Sequence, residues 1–447
     1  MKQEVIALAA AGMLGSGFSD ETFRQALALN PDFIGCDCGS MDSGPYCLGK
    51  GVSNRSRTAV KRDLSRIIPA ALEKKIPALF GSAGTAGGDL NVDWMVSILK
   101  EIALEQNLHF KLAVIKSELS KEQLRAYMAA GKIKPLHPAP ALTGELIDST
   151  AHAVAMLGAE PYIEALNNGA DVVIAGRSSD VSIYAAVPKM LGLGYGPAYH
   201  AGKLLECGVG CTERKTRSDC MLAWIHKDDF IIEPPNPDMR CTPVSCAAHA
   251  LYESSDPYDL VEPGEVVHIR DCKYEAISDR AVKVSGSTVE KTPYTVRLEG
   301  SRFLGYRQYV FGSIRDPLII RQLDSFLDRA AEAVFKKTLS SLGLEHSRNY
   351  QYCAKVYGQS KKYQAEEVCV LVQIVADTQE KAAAIGDLVW HELLHHDIPE
   401  WVGLQSNMAF PFSLPSVAGG EGYEFCLNHV IELDNPLEVA RFEYVKL

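Results

Sequence analysis

Short apolar runs alternate with amphipathic stretches through the first 190 residues, and this alternation limits the chain to few folds. The amphipathic stretches repeat apolar residues at the spacing of helices, and the apolar runs have the length of buried strands. The runs are Val5–Ala11, Phe33–Cys36, Pro77–Phe80, Phe110–Ile115 and Asp171–Ala175. Strand–helix repeats of this kind predict an open parallel sheet covered by helices.

The character of the chain changes after about residue 220. Pro234-Pro235-Asn236-Pro237 marks a break, and runs rich in Val, Tyr and Thr follow, such as Val266–Ile269 and Ala281–Val284. Ile319–Leu342 and Thr378–His395 have helical spacing. We therefore predict an α/β domain over residues 1–220 and a smaller α+β domain over residues 221–447 that contributes to the cleft.

The charge balance disfavours two classes of partner. The chain carries 56 acidic and 45 basic residues, a formal net charge of −11, whereas binding to nucleic acid or to an anionic membrane needs a basic excess. The apolar run Val5–Ala11 is too short to span a bilayer and lacks the flanks of a signal peptide. We expect a cytoplasmic protein whose twelve cysteines are reduced thiols, and no CxxC pair indicates a zinc ribbon.

Polar and charged residues follow each of the five predicted strands. Ligands of an open parallel sheet bind beyond the carboxyl ends of its strands. The residues predicted to surround an active site at this edge are Asp37, Asp42, Ser82, Thr85, Glu118, Arg177 and Asp180. Arg177 follows five apolar residues, so a buried strand would hold its guanidinium in place for a substrate carboxylate, or for a salt bridge to Asp180.

The glycine-rich segment 81–88 allows two interpretations. It matches neither the dinucleotide-binding nor the Walker pattern. Its backbone amides, with Ser82, Gly84 and Thr85, could bind a carboxylate or phosphate. Alternatively, the glycines serve only a tight strand-to-helix turn.

Further candidate groups lie outside the predicted strands. On a helix, His200, Lys203 and Cys207 would share a face, and Glu206 stands three residues after Lys203, which could supply proton transfer or an activated thiol. An exposed helix face with a core cysteine is the alternative. Arg307 and Arg315 could hold an anionic substrate or form structural salt bridges.

The segment His391-Glu392-Leu393-Leu394-His395 fits the HExxH pattern of zinc proteases. No third histidine follows at the spacing of the larger zinc-protease motif, and the residues after it indicate a helix end. A zinc hydrolase is therefore the weaker of the alternative functions.

Several longer segments resemble the acyclic terpene utilisation (AtuA-type) family. They are 171–180, 202–208, 251–253, 294–300, 305–307 and 409–413, spread over nearly the whole chain. The family is named for a catabolic pathway in which acyl-CoA thioesters are carboxylated, hydrated and cleaved. The resemblance implies chemistry of this kind and a small companion protein.

Together these observations predict a lyase of small-acid or acyl-CoA catabolism that is an oligomer and acts on an anionic substrate, a carboxylate or CoA thioester. Its catalytic residues would be Asp37, Asp42, Glu118, Asp180, Glu206 and Cys207, around a divalent metal cation if one is required. Its substrate-binding residues would be Ser82, Gly84, Thr85, Arg177, Ser178, Lys203, Arg307 and Arg315. The alternative is a non-catalytic subunit of a two-component enzyme.

Overall fold

The computed structural model describes residues 2–213, 218–360, 365–400 and 406–447. The chain divides into two compact units, Met1–Arg302 together with Phe425–Leu447, and Phe303–Glu424. The domain boundary expected near residue 220 stays a prediction. In the part of the chain that the structure describes, no helix is long and apolar enough to cross a membrane.

The helices of the described residues are α1 (Asp20–Ala28), α2 (Tyr46–Lys50), α3 (Arg57–Lys74), α4 (Asp89–Glu105), α5 (Lys121–Ala129), α6 (Gly144–Ser149), α7 (Glu160–Asn167), α8 (Asp180–Met190), α9 (Tyr195–Leu205), α10 (Pro243–Ala250), α11 (Pro317–Arg321), α12 (Leu323–Leu342) and α13 (Gln379–His395). A 3₁₀ turn, Gly208–Cys211, follows α9.

The strands are β1 (Val5–Ala9), β2 (Phe33–Asp37), β3 (Ala78–Gly81), β4 (Lys111–Lys116), β5 (Ile133–Pro135), β6 (Thr150–Ala155), β7 (Val172–Ala175), β8 (Met221–Ile225), β9 (Asp229–Glu233), β10 (Asp259–Glu262), β11 (Glu265–His268), β12 (Lys273–Ala276), β13 (Val282–Ser285), β14 (Thr288–Lys291), β15 (Thr295–Ile314), β16 (Tyr350–Tyr357), β17 (Val368–Ala376), β18 (Ser416–Glu432) and β19 (Arg441–Lys446).

The first unit is built on a mixed sheet with the strand order β12-β13-β9-β8-β1-β2-β3-β7-β4-β19. Its central strands β1, β2, β3, β7 and β4 are parallel, and they are the five strands that the apolar runs predict. Antiparallel strands extend the sheet on both sides. The predicted α/β fold class is confirmed.

The parallel strands are buried on both faces. Leu79 and Phe80, neighbours on β3, point into different cores, which α7, α8 and α9 cover on one face and α1, α3 and α4 on the other. A strand buried on both sides reads as a continuous apolar run, which explains why the sequence pattern locates these strands so well. Because the five strands are parallel, the residues that follow them lie at one edge of the sheet.

The second unit contains an antiparallel sheet in which β17 pairs with β16 and with residues 306–314 of β15. Its core includes Phe326 from α12 and Ile385 from α13. The helix predicted over Ile319–Leu342 is divided into α11 and α12. The break lies at Gln322, whose backbone dihedral angles (φ −109°, ψ 19°) are not helical. The first of the two helices is capped by Asp316, whose side chain accepts hydrogen bonds from the Leu318 and Ile319 amides.

A buried carboxylate orders the loop after β1. Asp63 on α3 is fully buried, and its Oδ2 accepts hydrogen bonds from the backbone N–H groups of Gly15, at 2.8 Å, and Gly17, at 3.0 Å. Both glycines have positive φ, a backbone conformation that glycine adopts without strain. The loop at the carboxyl end of β1 is therefore held by α3.

We predict that Asp63→Ala lowers the free energy of unfolding by about 1.5 to 3 kcal/mol, because two backbone donors lose a charged acceptor. Chemical denaturation followed by circular dichroism measures this change. Glu73→Ala, an exposed position on the same helix, is the matched control and should leave stability nearly unchanged. Equal stabilities of the two variants would contradict the assigned role of Asp63.

Candidate active site

A cavity of about 440 Å³ lies in the first unit, at the carboxyl ends of β2 and β7. Serine hydroxyls and charged groups make up much of its lining. The charged lining residues are Asp42, Arg177, Asp180, Lys203, Glu206, Glu253, Asp259, Glu262 and Arg297. This lining contains more acidic than basic residues, so its positive charges do not balance all of its carboxyl groups.

The Arg177 guanidinium is held by a buried set of acceptors. Its Nε donates to Glu299 Oε2 at 2.7 Å, and Nη1 donates to Ser82 Oγ at 3.0 Å and to the Ser178 carbonyl at 3.1 Å. Nη1 also lies 3.5 Å from Asp180 Oδ1. Among the described residues, the guanidinium thus donates its hydrogen bonds through Nε and Nη1.

The glycine-rich segment packs against the backbone that carries Arg177. The Arg177 amide donates to the Gly87 carbonyl at 3.1 Å, and a Cβ at Gly87 would lie 2.1 Å from the Arg177 nitrogen. A Cβ at Gly84 would lie 2.6 Å from the Asn91 carbonyl oxygen. These contacts favour the tight-turn interpretation, because the glycines allow backbone segments of the protein to approach each other.

Burial raises the pKa of three carboxyl groups in the cavity to neutral pH or its neighbourhood, those of Asp180, Glu206 and Glu262. The pKa of Asp180 rises to about 6, although the Arg177 guanidinium opposes the shift. The pKa of Glu262 rises to about 7, although Ser179 and Ser182 donate hydrogen bonds to Oε2 at 2.6 and 3.4 Å. Groups that titrate near the working pH can both take up and release protons.

Lys203 and Glu206 form a buried ion pair of 2.7 Å at the end of α9. Burial by itself would lower the pKa of Lys203, but its contact with Glu206 raises it, so the ammonium stays charged. Burial raises the pKa of Glu206 to about 8, although Lys203 opposes the shift. Its Nζ lies 5.9 Å from the centre of the Tyr252 ring. Lys203 is thus a second fixed cation on the cavity lining.

Cys207 and His200, which are close in sequence to this ion pair, have surroundings that suit a structural role. Burial raises the pKa of the Cys207 thiol to about 12, so it is protonated at neutral pH and is a poor nucleophile. His200 is fully buried, and its ring nitrogens lie 2.8 Å from Ser287 Oγ and 3.0 Å from Tyr274 Oη. Burial lowers the pKa of His200 to about 3, so the imidazole is neutral.

The two aspartates predicted after β2 have different environments. Asp42 is exposed, lines the cavity and accepts a hydrogen bond from Ser40 Oγ at 2.6 Å. Asp37 is buried, and burial, with the Asp180 carboxylate, raises its pKa well above the usual range. Its Oδ2 accepts from the Gly39 amide at 3.2 Å, whereas Oδ1 has no partner among the described residues.

Other predicted residues are engaged within the protein and are not among the described lining residues. Ser82 and Ser178 are buried beside Arg177. Thr85 Oγ1 lies 3.0 Å from Ser53 Oγ and donates to Asn54 Oδ1. Glu118 lies 2.6 Å from His152 Nδ1 and accepts from the Asp89 amide at 2.7 Å.

Arg307 and Arg315 belong to the second unit. Arg307 Nη2 donates to the Glu421 carbonyl at 2.9 Å, and Arg315 is exposed. Their contact with a substrate stays a prediction.

In the HExxH segment of the same unit, His391 and His395 are exposed, and Glu392 pairs with Lys337 and His396.

Glu262 and Glu299 are absent from the predicted site. Glu262 is the last residue of β10, directly before the turn Pro263-Gly264 that leads into β11, and only that turn signals its position. Glu299 follows the buried Leu298 on β15, and alternation places it on the opposite face without naming its partner. Both residues come from parts of the sequence more than 80 residues after Arg177.

Among the described residues, the carboxyl groups of the cavity form no group of three whose oxygens lie close enough to hold a metal ion. A divalent cation bound by Asp37, Asp42 or Glu118 stays a hypothesis.

The fold and the cavity define an α/β protein with a charged pocket at the carboxyl ends of its parallel strands. The model of the acyclic terpene utilisation family protein AtuA matches residues 57–406, most of the chain, and the chain therefore belongs to this family. The match includes Arg177, which lies two residues after β7, and Lys203 on α9. No curated protein and no solved structure matches the chain.

We predict that Glu299→Ala lowers the free energy of unfolding by about 3 to 5 kcal/mol, because it leaves the Arg177 guanidinium buried without its main partner. Thermal and denaturant unfolding measure the loss. Glu105→Ala removes an exposed carboxylate paired with Lys61 and should have little effect. A Glu299→Ala protein as stable as the control would show that the buried pair does not hold this edge of the sheet.

Proposed function

We propose that this member of the acyclic terpene utilisation family is a lyase that adds or removes water, or cleaves a carbon–carbon bond, next to a carboxylate or thioester. One observation carries the proposal. The same cavity is lined by two fixed cations, Arg177 and Lys203, and by carboxyl groups whose pKa values lie near neutral pH. Anion binding beside groups that exchange protons is what such a reaction requires.

Arg177 and Lys203 bind the substrate anion. Glu299 fixes the orientation of the Arg177 guanidinium plane. The ammonium of Lys203 has three N–H donors, and Glu206 accepts one of them. A carboxylate bound by these groups is oriented by a planar donor and a point charge together.

Asp180 and Glu262 transfer the protons. With a pKa of about 6, Asp180 is mostly ionised at neutral pH and suits a general base. With a pKa of about 7, Glu262 retains its proton in a large fraction of molecules and suits a general acid. The two serine hydroxyls on Glu262 Oε2 leave Oε1 to carry that proton.

In the dehydration direction, the Asp180 carboxylate removes the proton from the carbon next to the bound anion. The electron pair of that C–H bond forms the double bond, and the C–O bond of the neighbouring carbon breaks. The departing hydroxyl takes the Glu262 proton and leaves as water. Hydration is the reverse, with the two carboxyl groups exchanging roles.

The size of the cavity favours a small acid or the acyl end of a thioester. Its volume of about 440 Å³ lies at the lower end of the range of ligand pockets. The substrate class is therefore a hydroxy or unsaturated di- or tricarboxylate, free or joined to coenzyme A.

A mass-spectrometric screen of such acids and their CoA thioesters in heavy water tests the function. Proton abstraction by Asp180 would exchange carbon-bound hydrogen for deuterium even where no net product accumulates. We predict that one class of compound gains deuterium or changes mass by one water. Asp180→Asn and Glu262→Gln should each slow this change by about 100- to 10,000-fold, the usual contribution of a general acid or base.

Glu265→Gln is the matched control. Glu265 is the register partner of Glu262 in the β10–β11 hairpin and is also buried, but it accepts from Lys189 and is not a described lining residue of the cavity. Full turnover by Asp180→Asn and Glu262→Gln would refute the assigned roles. If no compound reacts with the chain alone but one does after the small companion protein is added, the two-component alternative is correct.

A further inference from the structure

Three cysteines form a cluster outside the cavity. The sulfur atoms of Cys211, Cys241 and Cys246 lie within 4.8 Å of one another. The Cys211 and Cys241 sulfurs are 4.0 Å apart, and all three residues are at most 2% exposed. Among the described residues, this is the one group of three or more metal-ligating side chains close enough to bind a common ion.

The backbone brings these residues together from separate parts of the chain. Cys211 ends the 3₁₀ turn, Cys241 lies before α10, and Cys246 is in the first turns of α10. An isolated bridge joins Thr212 to Cys241. Ser245 Oγ donates to the Cys211 carbonyl at 2.7 Å. The cluster is therefore fixed by hydrogen bonds that do not involve the thiols.

The spacing of the sulfurs suits a shared thiophilic ion. A tetrahedral zinc ion with Zn–S bonds of about 2.3 Å separates two of its sulfur ligands by about 3.8 Å. The 4.0 Å separation of Cys211 and Cys241 is close to that value and is about twice the S–S bond length of a disulfide. Thiolates also prefer soft and borderline cations over magnesium or calcium.

We propose that Cys211, Cys241 and Cys246 bind one zinc ion. Each thiol that is protonated loses its proton to solvent when its sulfur–metal bond forms, so binding of the ion releases protons. The bound ion would join the 3₁₀ turn to α10. Because Gly208, the first residue of that turn, comes two residues after Glu206, the ion would also hold the chain at the cavity.

Metal analysis of the purified full-length chain tests this site without reference to turnover. We expect one zinc per chain by mass spectrometry after removal of loosely bound metal. Cobalt added to the metal-free protein should produce the near-ultraviolet thiolate-to-cobalt charge-transfer absorption, a readout that needs no variant. Loss of a residue that only hydrogen-bonds to a metal ligand weakens metal binding by roughly 10- to 100-fold. Cys246→Ser removes a ligand itself and should weaken zinc binding by more than that.

Cys220→Ser is the control, since Cys220 is fully buried but lies outside the cluster. It should keep its zinc. Zinc retained by Cys246→Ser, or metal-free protein that gives no charge-transfer band with cobalt, would overturn the proposal. A Cys211–Cys241 disulfide found by mass mapping of the purified protein would also overturn it.

Discussion

The buried Arg177–Glu299 ion pair is the interaction on which the site depends. A guanidinium removed from water is costly unless its charge and its donors are matched. Here the arginine lies two residues after β7, β15 supplies the carboxylate at 2.7 Å, and Ser82, the residue after β3, supplies a neutral acceptor. Two strands of the parallel sheet and a later strand are thereby joined at the edge where the cavity opens.

The charge balance of the cavity has a direct chemical consequence. Arg177 and Lys203 are already paired with Glu299 and Glu206, so the remaining buried carboxyl groups gain less stabilisation from positive charge than burial removes. The pKa values of Asp180 and Glu262 rise for this reason. An excess of buried carboxyl groups over cations thus produces an acid and a base in the same pocket, near the pH at which the proposed lyase would work.

The parallel strands and the position of Arg177 could be predicted because the signal is local. A strand buried on both faces must be apolar throughout, and the residue after it must be at the edge of the sheet. Partners contributed by distant segments could not be predicted in this way. The alternation of side chains along β15 indicates the face on which Glu299 lies, but no neighbouring residue in the sequence identifies Arg177 as its partner. Likewise, the spacing of Cys211, Cys241 and Cys246 matches no local metal motif, because the fold brings them together.

Glu118 is a residue whose position in the fold could be predicted from the sequence, whereas its hydrogen-bond partner could not. It follows β4 at the expected edge, yet its carboxylate binds His152, and the hydrogen bond from that imidazole lowers its pKa in spite of burial. Sequence position indicates which edge of the sheet a residue reaches, but not which neighbour it binds there. The same holds for Thr85, whose hydroxyl binds Ser53 and Asn54.

The proposed lyase depends on carboxyl groups in the cavity that titrate near neutral pH beside fixed cations. Carboxyl carbon NMR of protein labelled at Asp and Glu, with signals assigned through Asp180→Asn and Glu262→Gln, measures this directly. We predict that Asp180 titrates near pH 6 and Glu262 near pH 7. Titration of both groups near pH 4, as for exposed carboxylates, would contradict it.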